Sequence, residues 1–183
     1  MIDAPAIIRN GRMDITAANR LGRAMYWPVF SGPGSARPRT GNIARFQFLD
    51  PARPDFFSDW DLAADVTVAL LRTEAGREPY NKDLTDLIGE LSTRSDDFRT
   101  RWARHNVRLH HAGSKTFHHP AVGELTLDYE SMDLQADPGL NLTVYTAAPD
   151  SASHDGLRLL ASWAATLDPA DQPQDVDTSP PHS

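Results

Sequence analysis

The apolar positions of this chain change period several times, and each change marks an expected element. Ala6-Ile7-Ile8-Arg9-Asn10-Gly11-Arg12-Met13-Asp14-Ile15 predicts two short strands around Asn10-Gly11. Asn-Gly best tolerates the positive φ that both central positions of a type I′ hairpin turn require. A helix is expected from about Ala17, with Leu21, Ala24 and Met25 on its buried side and Asn19 at its entry. Ser31–Gly41 holds three Gly and two Pro and no apolar period, so it reads as a loop. Asn42–Leu49 is short and apolar, and both helix and extended chain fit it. Phe56, Trp60, Ala63, Val66 and Leu70, with Leu71 beside them, predict one long helix from about Asp55 to Ala75, stopped by Gly76 and Pro79. Leu84, Leu87, Ile88 and Leu91 predict a second after Asn81. Phe98, Trp102 and His105 share one face of a third. Ser95 is its expected N-cap, with Asp96 and Asp97 favourably placed in the first turn.

At Asn106 the period becomes two. Val107, Leu109 and His111 alternate with Arg108 and His110, as in a half-buried strand. Gly113 then permits a turn into Lys115–His119. After Pro120, Leu125, Leu127 and Tyr129 share one strand face, with Glu124, Thr126, Asp128 and Glu130 on the other. Asp137-Pro138-Gly139 makes a turn, and Leu140, Leu142 and Val144 alternate with Asn141, Thr143 and Tyr145 in a last strand. Ser151 or Ser153 caps a final helix holding Leu157, Leu160, Ala161 and Ala164. Two strands open the chain and the others come late, with helices between, which is an α+β order. Residues 168–183, rich in Pro, Asp and Ser, predict a disordered tail after a single domain over 4–167.

Composition narrows the function classes. The net charge of −7 and pI near 5.4 argue against independent nucleic-acid binding, which wants a basic stripe. With no cysteine there is no disulfide, thiolate chemistry or Cys-based zinc site. The first ten residues lack the apolar core of a signal peptide, and no stretch approaches the length of a membrane span, so a cytoplasmic protein without membrane contact is expected.

The candidate chemistry is sparse. His105, His110, His111, His118 and His119 invite a metal reading, in which His111 and His119 meet across neighbouring strands with Asp128 or Glu124 as an oxygen ligand. Adjacent strand residues point to opposite faces, and no diagnostic spacing such as His-Glu-x-x-His occurs. The alternative places His119 in a hydrogen bond inside the fold, with His110 and His118 in solvent. Gly32-Pro33-Gly34 lacks the preceding strand and following Lys-Ser/Thr of a phosphate loop. There is no Gly-x-Ser-x-Gly nucleophile motif. No catalytic or metal-binding residue is assigned, and the chain is read as a non-enzyme.

Leu91-Ser92, Ser95, Phe98-Arg99, Trp102, His105, Val107, Lys115, Phe117, His119-Pro120 and Gly123-Glu124-Leu125-Thr126-Leu127 form an ordered series. Asn19, Arg45-Phe46, Phe48-Leu49-Asp50-Pro51, Asp59-Trp60 and Val144-Tyr145-Thr146-Ala147 extend it in both directions. From about Ala4 to Trp163 the chain resembles the MmyB-like ligand-binding domain, the C-terminal sensor half of a group of bacterial XRE-type helix-turn-helix regulators. The resemblance implies a PAS-like fold, a five-stranded antiparallel sheet with helices packed on one face. It implies a regulatory domain that senses a small apolar or amphipathic molecule, a fatty acid among the options. DNA would be reached only through a separate helix-turn-helix domain or partner, since the first expected strand begins within a few residues of Met1. A homodimer also fits.

On such a fold, Phe46, Phe48, Trp60, Phe98, Trp102, Phe117, Tyr129 and Tyr145 are expected around a pocket, with Arg45, Arg99, Lys115 and His119 interleaved. A cation beside an apolar cavity suits a ligand carboxylate. The competing reading pairs Arg45 or Arg99 with Asp59. Two other functions remain open: an interaction domain whose aromatic set closes into a solid core, and a small His-dependent metalloenzyme.

Overall fold

The computed structural model describes residues 4–31, 40–104 and 112–167. The expected strand Val107–His111, the histidines His105 and His110, the Gly32-Pro33-Gly34 segment and the tail 168–183 lie outside the described residues.

Five strands form one antiparallel sheet: β1 (Ala6–Asn10), β2 (Ile15–Ala18), β3 (Ala112–His119), β4 (Gly123–Asp133) and β5 (Leu140–Thr146). Their spatial order is β2-β1-β5-β4-β3, so the opening hairpin sits beside the last strand of the chain. The α+β expectation and its five-stranded antiparallel sheet hold. His118, Glu124, Thr126, Asp128 and Thr146 on one face of the sheet are exposed, while Phe117, Leu125, Leu127 and Tyr145 on the other lie under helices.

Those helices are α1 (Arg20–Met25), α2 (Trp27–Ser31), α3 (Ile43–Leu49), α4 (Arg53–Phe56), α5 (Trp60–Arg77), α6 (Lys82–Arg94), α7 (Asp96–Ala103) and α8 (Ala152–Ala164). Their starts are written in short polar side chains that accept an otherwise orphaned backbone N–H. Asn19, Asn42, Asp59, Asn81, Ser95 and Ser151 accept in turn from the N–H groups of Gly22, Arg45, Leu62, Leu84, Phe98 and His154. Ser151 is therefore the cap of α8, and the Ser153 hydroxyl instead accepts from the Thr126 N–H at 2.8 Å. Gly22 lies so close to β1 that a Cβ there would come within 2.2 Å of the Ala6 carbonyl oxygen. No side chain fits that approach. None of the described helices is long and apolar enough to cross a membrane.

Four sequence expectations change. The first hairpin does not turn on Asn10-Gly11 with positive φ at both. The left-handed residue is Met13, at φ 67°, while the Asn10 side-chain oxygen accepts from the N–H groups of Arg12 and Asp14. Ala17 and Ala18 belong to β2, and the helix waits for the Asn19 cap. The single helix over 55–75 is two, because Phe57 bridges to Phe117 and the Ser58 N–H donates to the Thr116 carbonyl at 3.2 Å. Gly113 is not a turn; it sits inside β3 opposite Tyr129.

The core is aromatic. Phe56 lies 4.9 Å from Phe57 and 5.5 Å from both Phe46 and Phe117 between ring centroids. Tyr26 and Tyr145 close this cluster, their hydroxyls 2.5 Å apart and fully buried. A second aromatic group joins α3 to α7: Phe98 is 5.0 Å from Phe48, and Trp102 stacks on it at 5.5 Å.

Phe98 has no exposed surface, whereas Trp102 is half-buried beneath the Arg72 guanidinium. Phe98→Ala is therefore expected to cost about 3–5 kcal/mol in urea unfolding, and Trp102→Ala less. A larger loss at Trp102 would mean that the rim of this layer, not its centre, carries its stability.

Candidate ligand-binding site

A strand that turns one residue inward turns its i+2 neighbour inward as well. In β1, Ile7 faces the helices and so does Arg9; in β3, Phe117 and Lys115; in β4, Leu125, Leu127, Tyr129, Ser131 and Asp133; in β5, Tyr145, Thr143 and Asn141. The inner face is thus apolar at one end and polar at the other. Over the polar end α5 does not close onto the sheet, and a cavity of about 420 Å³ remains. That volume lies within the range of small-molecule sites.

Its two walls differ in chemistry. The helix side carries an apolar stripe, Ala63, Val66 and Leu70 of α5 with Ile43 of α3 and Phe57, flanked by Gln47, Thr67, Thr73, Glu74 and Arg77. This is the stripe that the sequence assigned to packing, but Ala63, Val66 and Leu70 are only half-buried, while Ala64, Val68 and Leu71 fill the core. The sheet side is a connected polar floor. Ser131 Oγ donates to Asn141 Oδ1 at 2.6 Å and lies 3.1 Å from Thr143 Oγ1, and Asn141 Nδ2 donates to Asp133 Oδ1 at 2.9 Å.

Two cations stand on this floor. The Lys115 ammonium lies 4.5 Å from the centre of the Tyr129 ring, and Lys115 makes no ion pair among the described residues. Burial, with the nearby Arg9 charge, holds its pKa down to about 8. Arg9 likewise has no hydrogen-bond or ion-pair partner among the described residues. Burial lowers its pKa, while Tyr145, Tyr26, Asp133 and Glu74 pull it back up from a distance. Tyr26 and Tyr145 mark the border with the solid core; burial raises both phenols, Tyr26 to about 12, so both stay neutral. At the mouth, Arg77 donates to Glu74 at 2.8 and 3.0 Å. This pair reaches two neighbouring turns at one end of the sheet, Glu74 beside Gly11 and Arg77 beside Gly139. Gly139, at φ +98°, leaves the Arg77 guanidinium 3.0 Å from where a Cβ would stand.

Of the residues expected from sequence at a pocket, Lys115, Tyr129 and Tyr145 line this cavity. The others lie elsewhere. Phe46, Phe48, Phe98 and Phe117 are core. Trp60 is half-buried, its ring beneath Arg53 and Arg101 and its Nε1 donating to the Gln47 carbonyl. Trp102 covers Phe98. Arg45 pairs with Glu90 at 2.8 Å and Arg99 with Asp96 at 2.5 Å, so neither pairs with Asp59, whose carboxylate caps α5. His119 is buried; its Nε2 lies 2.9 Å from the Ala24 carbonyl and its Nδ1 accepts from the Ala121 N–H, an arrangement that fits the neutral ring. Burial lowers its pKa accordingly.

Among the described residues the metal grouping does not form. His119 points inward and Glu124 and Asp128 outward, and His111 lies outside the described residues. Among the described residues no group of three or more metal-ligating side chains assembles.

Arg9, Gln47, Thr67, Asn141 and Thr143 were not singled out by sequence. The signal for Arg9 was present: it shares strand parity with Ile7, so a charge had to face the helices. The signal on β5 was masked, because the conspicuous apolar residues Leu142 and Val144 face outward.

A family model described as "MmyB-like transcription regulator ligand binding domain" matches residues 1–160. The search of curated proteins found no match.

The two cations depend on each other. Replacing Arg9 with Met removes a like charge and should move the Lys115 titration, read by NMR, upward from about 8 toward the ordinary lysine value. Because the folded value lies below the unfolded one, Lys115 contributes to stability fully at high pH, and that contribution is lost as pH falls from about 10.4 to about 8. An unmoved titration in Arg9→Met would separate the two groups.

Proposed function

Because this chain belongs to the MmyB-like transcription regulator ligand binding domain family, we propose that it is a sensor for a small amphipathic acid. The acid's headgroup would sit between Arg9 and Lys115, and its apolar part would lie along Ala63, Val66 and Leu70. The observation that carries this reading is the pair of cations turned into one cavity without acid partners. A buried charge is costly when unpaired, so an anion there gains more than it would in water. A fatty acid is one acid of this kind: each methylene buried against the apolar wall contributes about 0.8 kcal/mol. No catalytic step is proposed.

Regulation follows from what spans the cavity. α5 lies over the ligand and also contacts α7, where Arg101 bridges Asp61 and Asp65 and the Arg72 guanidinium donates to the Trp102 carbonyl. A ligand that favours one position of α5 would bias α7 with it. A ligand bound equally well in both positions would signal nothing. DNA binding would be the task of a separate helix-turn-helix domain or partner, the family's output. The alternative of a ligand-free interaction domain is disfavoured by the open, charged cavity.

Titration calorimetry with dodecanoate tests the reading. Arg9→Met and Lys115→Met should each weaken binding about tenfold or more, the size expected for a hydrogen bond to a charged group. Wild-type affinity should fall as pH rises through about 8, where Lys115 gives up its proton. The other ionisable side chains on the cavity wall are Asp133, Glu74, Arg77 and Arg9; arginine does not give up its proton in a protein, and Tyr26, Tyr129 and Tyr145 stay neutral because burial raises them, so Lys115→Met should flatten the profile. Equal binding by wild type and both variants would contradict the headgroup assignment.

A further inference from the structure

Gln47 is a glutamine in the middle of a phenylalanine-rich helix, between Phe46 and Phe48, and its side chain has no exposed surface. Its amide is oriented by Trp60. The Gln47 Nε2 donates to the Trp60 carbonyl at 3.3 Å, and the Trp60 Nε1 donates to the Gln47 main-chain carbonyl at 3.1 Å. Only the amide nitrogen can face the Trp60 carbonyl, so the amide cannot be turned over without setting two oxygens together. Oε1 is then left buried with no hydrogen-bond donor among the described residues. Gln47 lines the cavity. Thr67, buried on the facing turn of α5, lines it too, and its hydroxyl hydrogen-bonds no described residue.

A buried acceptor without a donor is destabilising unless something in the cavity supplies one. A plain alkyl chain against this wall cannot. It would cover Oε1 with methylene groups and exclude any water that served it. The cavity therefore asks for two kinds of group at two places: an anion at Arg9 and Lys115, and a hydrogen-bond donor at Gln47.

Resting on the acid-sensor reading above, we propose that the ligand is an acid carrying a donor on its chain, a hydroxyl or an amide N–H, which Gln47 Oε1 accepts. The discrimination is asymmetric. A ligand with the donor satisfies the wall, whereas the same chain without it leaves a polar atom stranded, and sites of this kind reject the analogue lacking the donor strongly.

The test is a series at constant chain length: dodecanoic acid, hydroxydodecanoic acids with the hydroxyl at successive positions, and N-nonanoylglycine, each titrated into the purified chain. At least one donor-bearing member should bind about tenfold tighter than dodecanoic acid or better. In Gln47→Met that ratio should fall to about one. The ratio is taken within each protein, so a general loss of affinity in the variant does not enter it. Should Gln47→Met fail to fold, the Gln47 side-chain amide NMR signal of the wild type serves instead; saturation with the tight binder should shift it further than saturation with dodecanoic acid, and an equal shift overturns the proposal. A series in which no member exceeds dodecanoic acid, or an advantage that survives in Gln47→Met, overturns the proposal while leaving the acid sensor intact. Failure of every member to bind overturns both.

Discussion

A β-strand cannot choose the direction of one side chain independently of the next but one. The whole interior of this protein depends on that constraint. Turning Ile7 and Phe117 toward the helices places Arg9 and Lys115 there as well. Turning Tyr145 inward brings Thr143 and Asn141 with it. One end of the sheet can therefore be closed by aromatic packing, and the other cannot. Collapsing α5 onto two unneutralised cations would strand them in an apolar medium, at a cost far above what a few more buried methylenes return. The cavity is the result of this balance, with the hydroxyl contact between Tyr26 and Tyr145 at its border.

The same arrangement gives a sensor its two requirements. The solid end fixes the frame: the rings of Tyr26, Phe46, Phe57 and Tyr145 pack around Phe56 and Phe117, and Gly22 holds α1 against the backbone of β1. The open end leaves α5 with partial support, since its cavity-facing stripe is half-buried. Occupancy of the cavity would complete that support. A helix that gains packing on binding, and that is tied through Arg72 and Arg101 to the helix beyond it, is the kind of element through which a ligand shifts a population.

Much of the fold was legible. Asn81 and Ser95 announced their helices, Leu125, Leu127 and Tyr129 shared the expected face, and Asp137-Pro138-Gly139 made its turn. What failed was decided by contacts distant in sequence. Nothing near Phe57 says that it will leave the helical path to bridge Phe117. Met13 takes the left-handed angle that local preference gave to Asn10-Gly11, because Asn10 spends its side chain on the loop's own N–H groups. The cavity was legible only in small part. Lys115, Tyr129 and Tyr145 were among the expected residues, but large aromatics such as Phe98 and Phe117 went to the core, as burial favours. The polar residues of β5 were overlooked because Leu142 and Val144 make the louder pattern while lying on the outer face.

Native mass spectrometry of the protein as purified, followed by denaturation and negative-ion detection of what is released, tests the central claim most directly. A non-covalent adduct that dissociates on unfolding and is detected as an organic acid, lost when Arg9 and Lys115 are both replaced by Met, is the predicted result. A released molecule that carries no acidic group, or an adduct retained in the double variant, would contradict the account.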